Sequence, residues 1–136
     1  MKNSYLGIDP GRSKSGMALV DEQGKIVRLH IAQMTSFADE LRSFVADESL
    51  SVVIIGNGTN HEAVSAVVRS ILPTVSVCLV GEAYSTEEAR SLYWRLNPPK
   101  GWRKFVPLGL LVPPEALDAY AAVVQIQRYL EQRTEY

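Results

Sequence analysis

The sequence predicts an α/β fold: a mixed five-stranded sheet with helices on both faces, forming a single domain over residues 1–136. Three observations predict it. Apolar, β-branched segments alternate with amphipathic helical segments along most of the chain. The first three strand-like segments follow one another without a helix between them, whereas the last two alternate with helices. No internal repeat, low-complexity stretch or long linker divides the chain.

Residues 4–9 read as a short buried strand that ends at Pro10-Gly11. Residues 15–21 and 25–32 read as two more strands. The turn Asp21-Glu22-Gln23-Gly24 joins them into an antiparallel hairpin, with Gly24 suited to a positive φ. Residues 36–48 place Phe37, Leu41, Phe44 and Val45 at helical spacing. Residues 51–56 form an apolar β-branched run closed by Gly56-Asn57-Gly58. Thr59 then opens a helix, with Glu62 completing a Thr-x-x-Glu capping box, and Pro73 stops that helix after about Leu72. Residues 75–80 are the fifth strand. Ser85-Thr86-Glu87-Glu88 is a second capping box and opens a helix to about Leu96. Residues 97–113, rich in proline, read as a loop, and Pro114 starts a last helix that runs to about Arg133.

Composition narrows the function. The chain is 46% apolar and 21% charged, as soluble globular domains are, with a net charge of −1. That balance excludes a strongly basic nucleic-acid coat protein. It leaves room for an enzyme that gathers carboxylates in its site and sets basic groups around them. Cys78 is the single cysteine, so no disulfide forms within the chain, and it sits in an apolar run as a small core residue would. No run approaches the ~20 apolar residues that span a bilayer. The N-terminus enters strand-like sequence almost at once, without the pattern of a secretion signal. The expectation is a cytoplasmic protein with no membrane partner.

Carboxylates are costly within apolar structure unless they are paired or bind a cation. Acids at the ends of buried strands and the starts of helices are therefore the candidates for chemistry. Asp9 ends the first strand, Glu82 ends the last, and Asp118 lies in the first turns of the last helix. Ala121 and Ala122, small residues near Asp118, let that helix approach a sheet closely, and Glu115 lies one turn before Asp118. Taken singly, each has an ordinary role: Asp9 as a turn residue, Glu82 as a solvated acid, Asp118 and Glu115 as complements to the helix dipole. Taken together, they form an oxygen-only ligand set suited to Mg²⁺ or Mn²⁺. Two such ions ~3.5–4 Å apart activate a water and stabilise the leaving oxygen of a phosphodiester. His30 and His61 show no metal-ligand spacing, and the chain lacks a zinc set.

The stretch LGIDPGRSKSGMALVD resembles the opening strand pair of the YqgF/RuvX family and of the Holliday junction resolvase RuvC. VVIIGNG, then VCLVGEAYSTEEARSLYW, then PPEALDAYAAVVQIQRYLE, continue the resemblance to YqgF/RuvX in order along nearly the whole chain. The element order is similar to the ribonuclease H-like topology. The resemblance implies metal-dependent cleavage of phosphodiesters in structured nucleic acid, either Holliday junction DNA or precursor ribosomal RNA. It assigns the family's first acid to Asp9, the acid after the last strand to Glu82, and the helix acid to Asp118. The chain departs from the family at Gly81 and Ala83, where the family often carries Asp and Arg.

Arg95, Lys100, Trp102, Arg103 and Lys104 interleave positive charge with an aromatic ring in the most basic stretch of the chain. Such a stretch holds phosphates and offers stacking faces to exposed bases. Arg12 and Lys14, beside Asp9, are separate candidates for a phosphate. Tyr93 and Trp94 read equally well as core. Three functions compete: a nuclease, an inactive relative that binds nucleic acid or a partner protein, and an actin-like or sugar-kinase-like nucleotide binder, whose phosphate-binding hairpin Gly-Ile-Asp-Pro-Gly also resembles. Symmetric cleavage of a junction favours a two-fold homodimer.

Overall fold

The computed structural model describes residues 3–81, 85–107 and 116–134. Its sheet has five strands: β1 (Asn3–Asp9), β2 (Lys14–Asp21), β3 (Ile26–Gln33), β4 (Ser49–Gly56) and β5 (Ser76–Val80). Four helices accompany it: α1 (Phe37–Phe44), α2 (His61–Ile71), α3 (Ser85–Leu96) and α4 (Asp118–Thr134). The strand order is β3-β2-β1-β4-β5. β2 is antiparallel to both β1 and β3, whereas β1-β4 and β4-β5 are parallel. The mixed sheet expected from the element order is present. Crossing from β1 to β4, and from β4 to β5, passes through a helix each time, as parallel neighbours require.

The β2–β3 hairpin shows how local chemistry fixes register. Oδ1 of Asp21 accepts hydrogen bonds from the N–H groups of Gln23 and Lys25, both at 2.9 Å, and Gly24 takes φ +85°. An aspartate that bonds its own turn in this way is the reason Asp favours such positions.

Two cores flank the sheet. On one face, Leu6, Ile8, Met17, Leu19, Val53 and Ile55 pack against Phe37, Leu41 and Phe44 of α1 and Val64 and Val68 of α2. On the other, Ala18, Val20, Val52, Ile54 and Val80 pack against α3 and α4. In α4 every residue from Ala119 to Ile126 is buried. A helix covered on all sides is a central element, and α4 lies between the sheet and α3. Two glycines admit it. A Cβ on Gly7 would collide with the Ala122 carbonyl and lie 2.7 Å from Cγ1 of Ile126. A Cβ on Gly16 would collide with the Asp118 carbonyl and lie 2.6 Å from the Ala119 nitrogen.

Helix ends depart from the sequence-based expectation. α1 closes at Phe44, not at residue 48, and a short 3-10 turn, Met34–Ser36, precedes it. The capping box at Thr59 does not form, because α2 begins at His61 with Asn60 as its N-cap at φ 68° and no side-chain cap bond. Asn60 instead donates its side-chain amide to the Gly11 carbonyl at 3.0 Å, tying the loop after β4 to the loop after β1. α4 starts at Asp118, and Ala116 and Leu117 before it are not helical. Gly101–Phe105 forms a 3-10 turn within the segment read as a loop. α3 begins at Ser85, where the second capping box is expected, but the side chains of Ser85 and Thr86 lie outside the described residues, as does the helix start expected at Pro114. Among the described residues no helix is long and apolar enough to cross a membrane.

Candidate active site

β1 carries Asp9 to its carboxyl end, where the chain turns through the buried Pro10. Sheet register sets Asp9 opposite Gly16 of β2. Since Gly16 has no side chain, the first residue of α4, Asp118, rests its backbone directly on that strand. The fold therefore brings Asp9 and Asp118, far apart in sequence, to adjoining positions at one end of the sheet. At the amino end of a helix, a carboxylate faces the positive end of the helix dipole and unbonded N–H groups, which favour negative charge.

Each acid has a partner. Nε2 of Gln125 donates to Oδ1 of Asp9 at 3.1 Å, and Gln125 is completely buried. Nζ of Lys14 lies 3.4 Å from Oδ2 of Asp118, with side chains 46% and 32% exposed. At that exposure water screens the pair, and its net contribution to stability is about 0–1 kcal/mol. Its importance is positional: Lys14 holds positive charge where a negative cluster is expected.

The surrounding loops are fastened to one another. The Gly11 N–H donates to Oγ of Ser15 at 3.2 Å, and the Met34 N–H donates to the Ser13 carbonyl at 2.9 Å. Asn60 fixes the Gly11 carbonyl from the α2 side. Arg12, exposed, projects from this fastened loop. At the end of β5, Arg128 of α4 donates to the Gly81 carbonyl at 2.6 Å and pairs with Glu88 of α3 at 2.9 Å. This clamp joins three elements at the residue before Glu82.

Of the expected acids, Asp9 and Asp118 come together. Glu82 and Glu115 lie outside the described residues. Among the described residues, no group of three or more His, Cys, Asp or Glu side chains is arranged to hold a metal. Asp9 and Asp118 fit a hard cation in kind, being partly accessible oxygen donors, and they supply two of the four expected ligands.

The expected basic surface is exposed at Arg95, Lys100, Arg103 and Lys104, and Trp102 is 73% exposed. Phe105 is 80% exposed, with the Lys104 ammonium 5.2 Å from its ring centroid. Tyr93 and Trp94 are core residues, and Tyr93 packs edge-on against Tyr120 at 5.3 Å. Asn97, where the segment leaves α3, lies 3.4 Å from the Tyr120 hydroxyl. The basic segment thus departs beside the first turn of the helix that begins with Asp118. A groove of about 530 Å³ runs between Tyr93, Asn97, Pro98, Lys100 and Arg103.

Sequence reading missed Gln125, Arg128 and Asn60. One signal was available for Gln125: it follows Asp118 by two helical turns and so shares its face. Arg128 and Asn60 carry no such mark, since each acts through a backbone carbonyl supplied by a distant loop.

The sequence matches no protein-family model and no curated protein. The fold is similar to two solved structures over nearly the whole chain. One is the Fowlpox virus resolvase in complex with substrate Holliday junction DNA, with TM-score 0.63 and 11% identity, covering 96% of this chain and 98% of that one. The other is Thermus thermophilus RuvC, with TM-score 0.58 and 12% identity, covering 96% of each chain. At such identities the likeness is one of fold and does not extend to the YqgF/RuvX subfamily. The five-stranded mixed sheet flanked by helices is the ribonuclease H-like, RuvC-like architecture.

Proposed function

We propose that this chain acts on structured nucleic acid at the end of the sheet where Asp9 and Asp118 adjoin, and that it hydrolyses phosphodiesters there with Mg²⁺ or Mn²⁺. The observation that carries the reading is the seating of Asp118 on Gly16, opposite Asp9, within a resolvase-type fold. The helix amino end and Lys14 account for a negative charge at Asp118, but not for a second acid, Asp9, beside it, and two adjoining acids repel unless a further cation is near.

Asp9 and Asp118, with Glu82 and Glu115, are the residues that would hold the metal. Bound there, a divalent cation supplies Lewis-acid polarisation of a phosphate and a more acidic water. The chain's own residues do the rest. Gln125 holds one oxygen of Asp9. Lys14 offsets the charge of Asp118, and its ammonium would bind a phosphate at this end of the sheet. Arg95, Lys100, Arg103 and Lys104 hold the nucleic-acid backbone, and Trp102 offers a face to an unpaired base. The proposed substrates are Holliday junction DNA and precursor ribosomal RNA. The acting unit on a two-fold junction is a homodimer.

A second reading is favoured by two observations. Lys14 is already engaged by Asp118, and the described residues contain no group of three potential metal ligands. On that reading the protein binds nucleic acid, or a protein partner, without cutting. The deciding experiment presents labelled junction DNA and a ribosomal RNA precursor side by side, with and without Mn²⁺. A nuclease cuts one of them only with the metal, and Asp9→Asn abolishes cutting while the circular dichroism spectrum is kept. Binding without cutting under every metal condition establishes the second reading.

A further inference from the structure

We infer that Gln125 is a positioning residue that fixes the orientation of the Asp9 carboxylate before any ligand arrives. The inference rests on the reading of Asp9 as a ligand-holding acid. Among the described residues, Gln125 is the only polar one of the largest fully buried side chains. Glutamine is seldom buried to that degree, because its amide must find partners away from water. Its Nε2 finds Asp9 at 3.1 Å, across 116 residues of sequence.

The contact depends on the backbone around it. Gly7 and Asp9 alternate on one face of β1, so both address α4. Without a Cβ at Gly7, the Ala122 carbonyl and the Ile126 side chain settle onto β1. That approach brings Gln125, on the intervening turn, within reach of Asp9. A glutamine amide also has a chemical advantage over a lysine or arginine at this position. It donates to the carboxylate without adding a positive charge that would oppose a cation. A buried amide pinned by its neighbours leaves the acid less freedom than water would, so less ordering remains when a ligand binds.

The test replaces Gln125 by Met, which keeps length and apolar volume and removes the donor. A crystal structure of the metal-free Gln125→Met protein is expected to show Asp9 in a new or divided side-chain orientation. Its Mn²⁺ affinity, read from the free-ion electron paramagnetic resonance signal, is expected to fall about 10–100-fold, as when an outer partner of a ligand is removed. A second measurement needs no change in the core. In the unsubstituted protein the Gln125 side-chain amide protons should be protected from exchange, and Asp9→Ala should shift and deprotect them.

An unchanged Asp9 orientation with Mn²⁺ affinity within about twofold of the parent overturns the assignment, as does a Gln125 amide indifferent to Asp9→Ala. Should the unsubstituted protein bind no Mn²⁺, the metal reading fails, and the crystal structure and the amide resonance still decide the role of Gln125.

Discussion

At Asp9 and Asp118 the fold surrounds negative charge with two different kinds of support. Asp9 is held by a neutral amide from the core, and Asp118 by a half-exposed ammonium at the surface. The first arrangement orients an acid, and the second compensates one. Asp9 was legible in the sequence because an acid between a strand and Pro-Gly has few places to go. Gln125 was not, because a glutamine in a helix ordinarily faces water, and only the approach allowed by Gly7 makes it a partner. Lys14 was legible as a basic residue near the site, but its engagement with Asp118 needed the seating of α4 on β2.

Away from this site, Glu40 gives a pH prediction. Hydrogen bonds from the Ser36 hydroxyl and from His30 hold its carboxyl below the ordinary value of 4.5, with the Gln33 N–H adding to them. A carboxyl depressed in the folded state stabilises the protein fully above its unfolded pKa, and this contribution is lost as the pH falls through the folded value. Stability should therefore weaken on acidification below about pH 4.5. Glu40→Gln should flatten that acid limb. Urea midpoints at pH 7 and pH 3.5 check this, and an acid limb of unchanged slope in the variant would contradict it.

Among the elements, α4 matters most, since it supplies Asp118, Gln125 and Arg128 and meets the sheet at two glycines. Gly7→Ala is expected to cost about 1–3 kcal/mol by overpacking against Ala122 and Ile126. Gly81→Ala, where a Cβ meets nothing within 4 Å, is the neutral control. Denaturant midpoints of the two variants make the comparison, and equal midpoints would show that α4 does not sit tightly against β1 at Gly7.

Strands and helices were legible in kind and order, because apolar periodicity reports which faces are buried. Helix ends were less so. Thr59 and Glu62 have the right spacing for a capping box, yet Asn60 takes the cap position because its side chain reaches Gly11. There an interaction with a distant loop outweighed a local signal.

The basic segment after α3 carries an element-scale prediction. Changing Lys100, Arg103 and Lys104 together to Ala should weaken nucleic-acid binding and reduce the salt slope of log K. The slope should fall by up to about 0.7–0.9 for each phosphate that the variant no longer neutralises. Fluorescence anisotropy between low and moderate salt reads both quantities. An unchanged slope would place the binding surface elsewhere, around Arg12 and Lys14.

For the whole molecule, the sheet order is the source of the site. Placing β1 centrally, between an antiparallel and a parallel neighbour, gathers the ends of β1, β4 and β5 with the start of α4. Loops from separate parts of the chain meet there, and the links Asn60–Gly11 and Arg128–Gly81 fasten them. The mixed-sheet topology was legible from element order and is shared with the Fowlpox virus and Thermus thermophilus structures. The complete carboxylate set was only half visible, since Glu82 and Glu115 are assigned by sequence placement alone. A crystal structure of the protein grown with Mn²⁺, with anomalous scattering to locate the ion, decides whether these acids hold a metal. The expected result is an anomalous peak bounded by Asp9, Asp118 and Glu82, with oxygen ligands at roughly 2.0–2.6 Å as for hard divalent cations. No peak at this end of the sheet, or carboxyl groups of any two of these residues more than about 10 Å apart, would contradict it, because one or two bridged ions cannot span that gap.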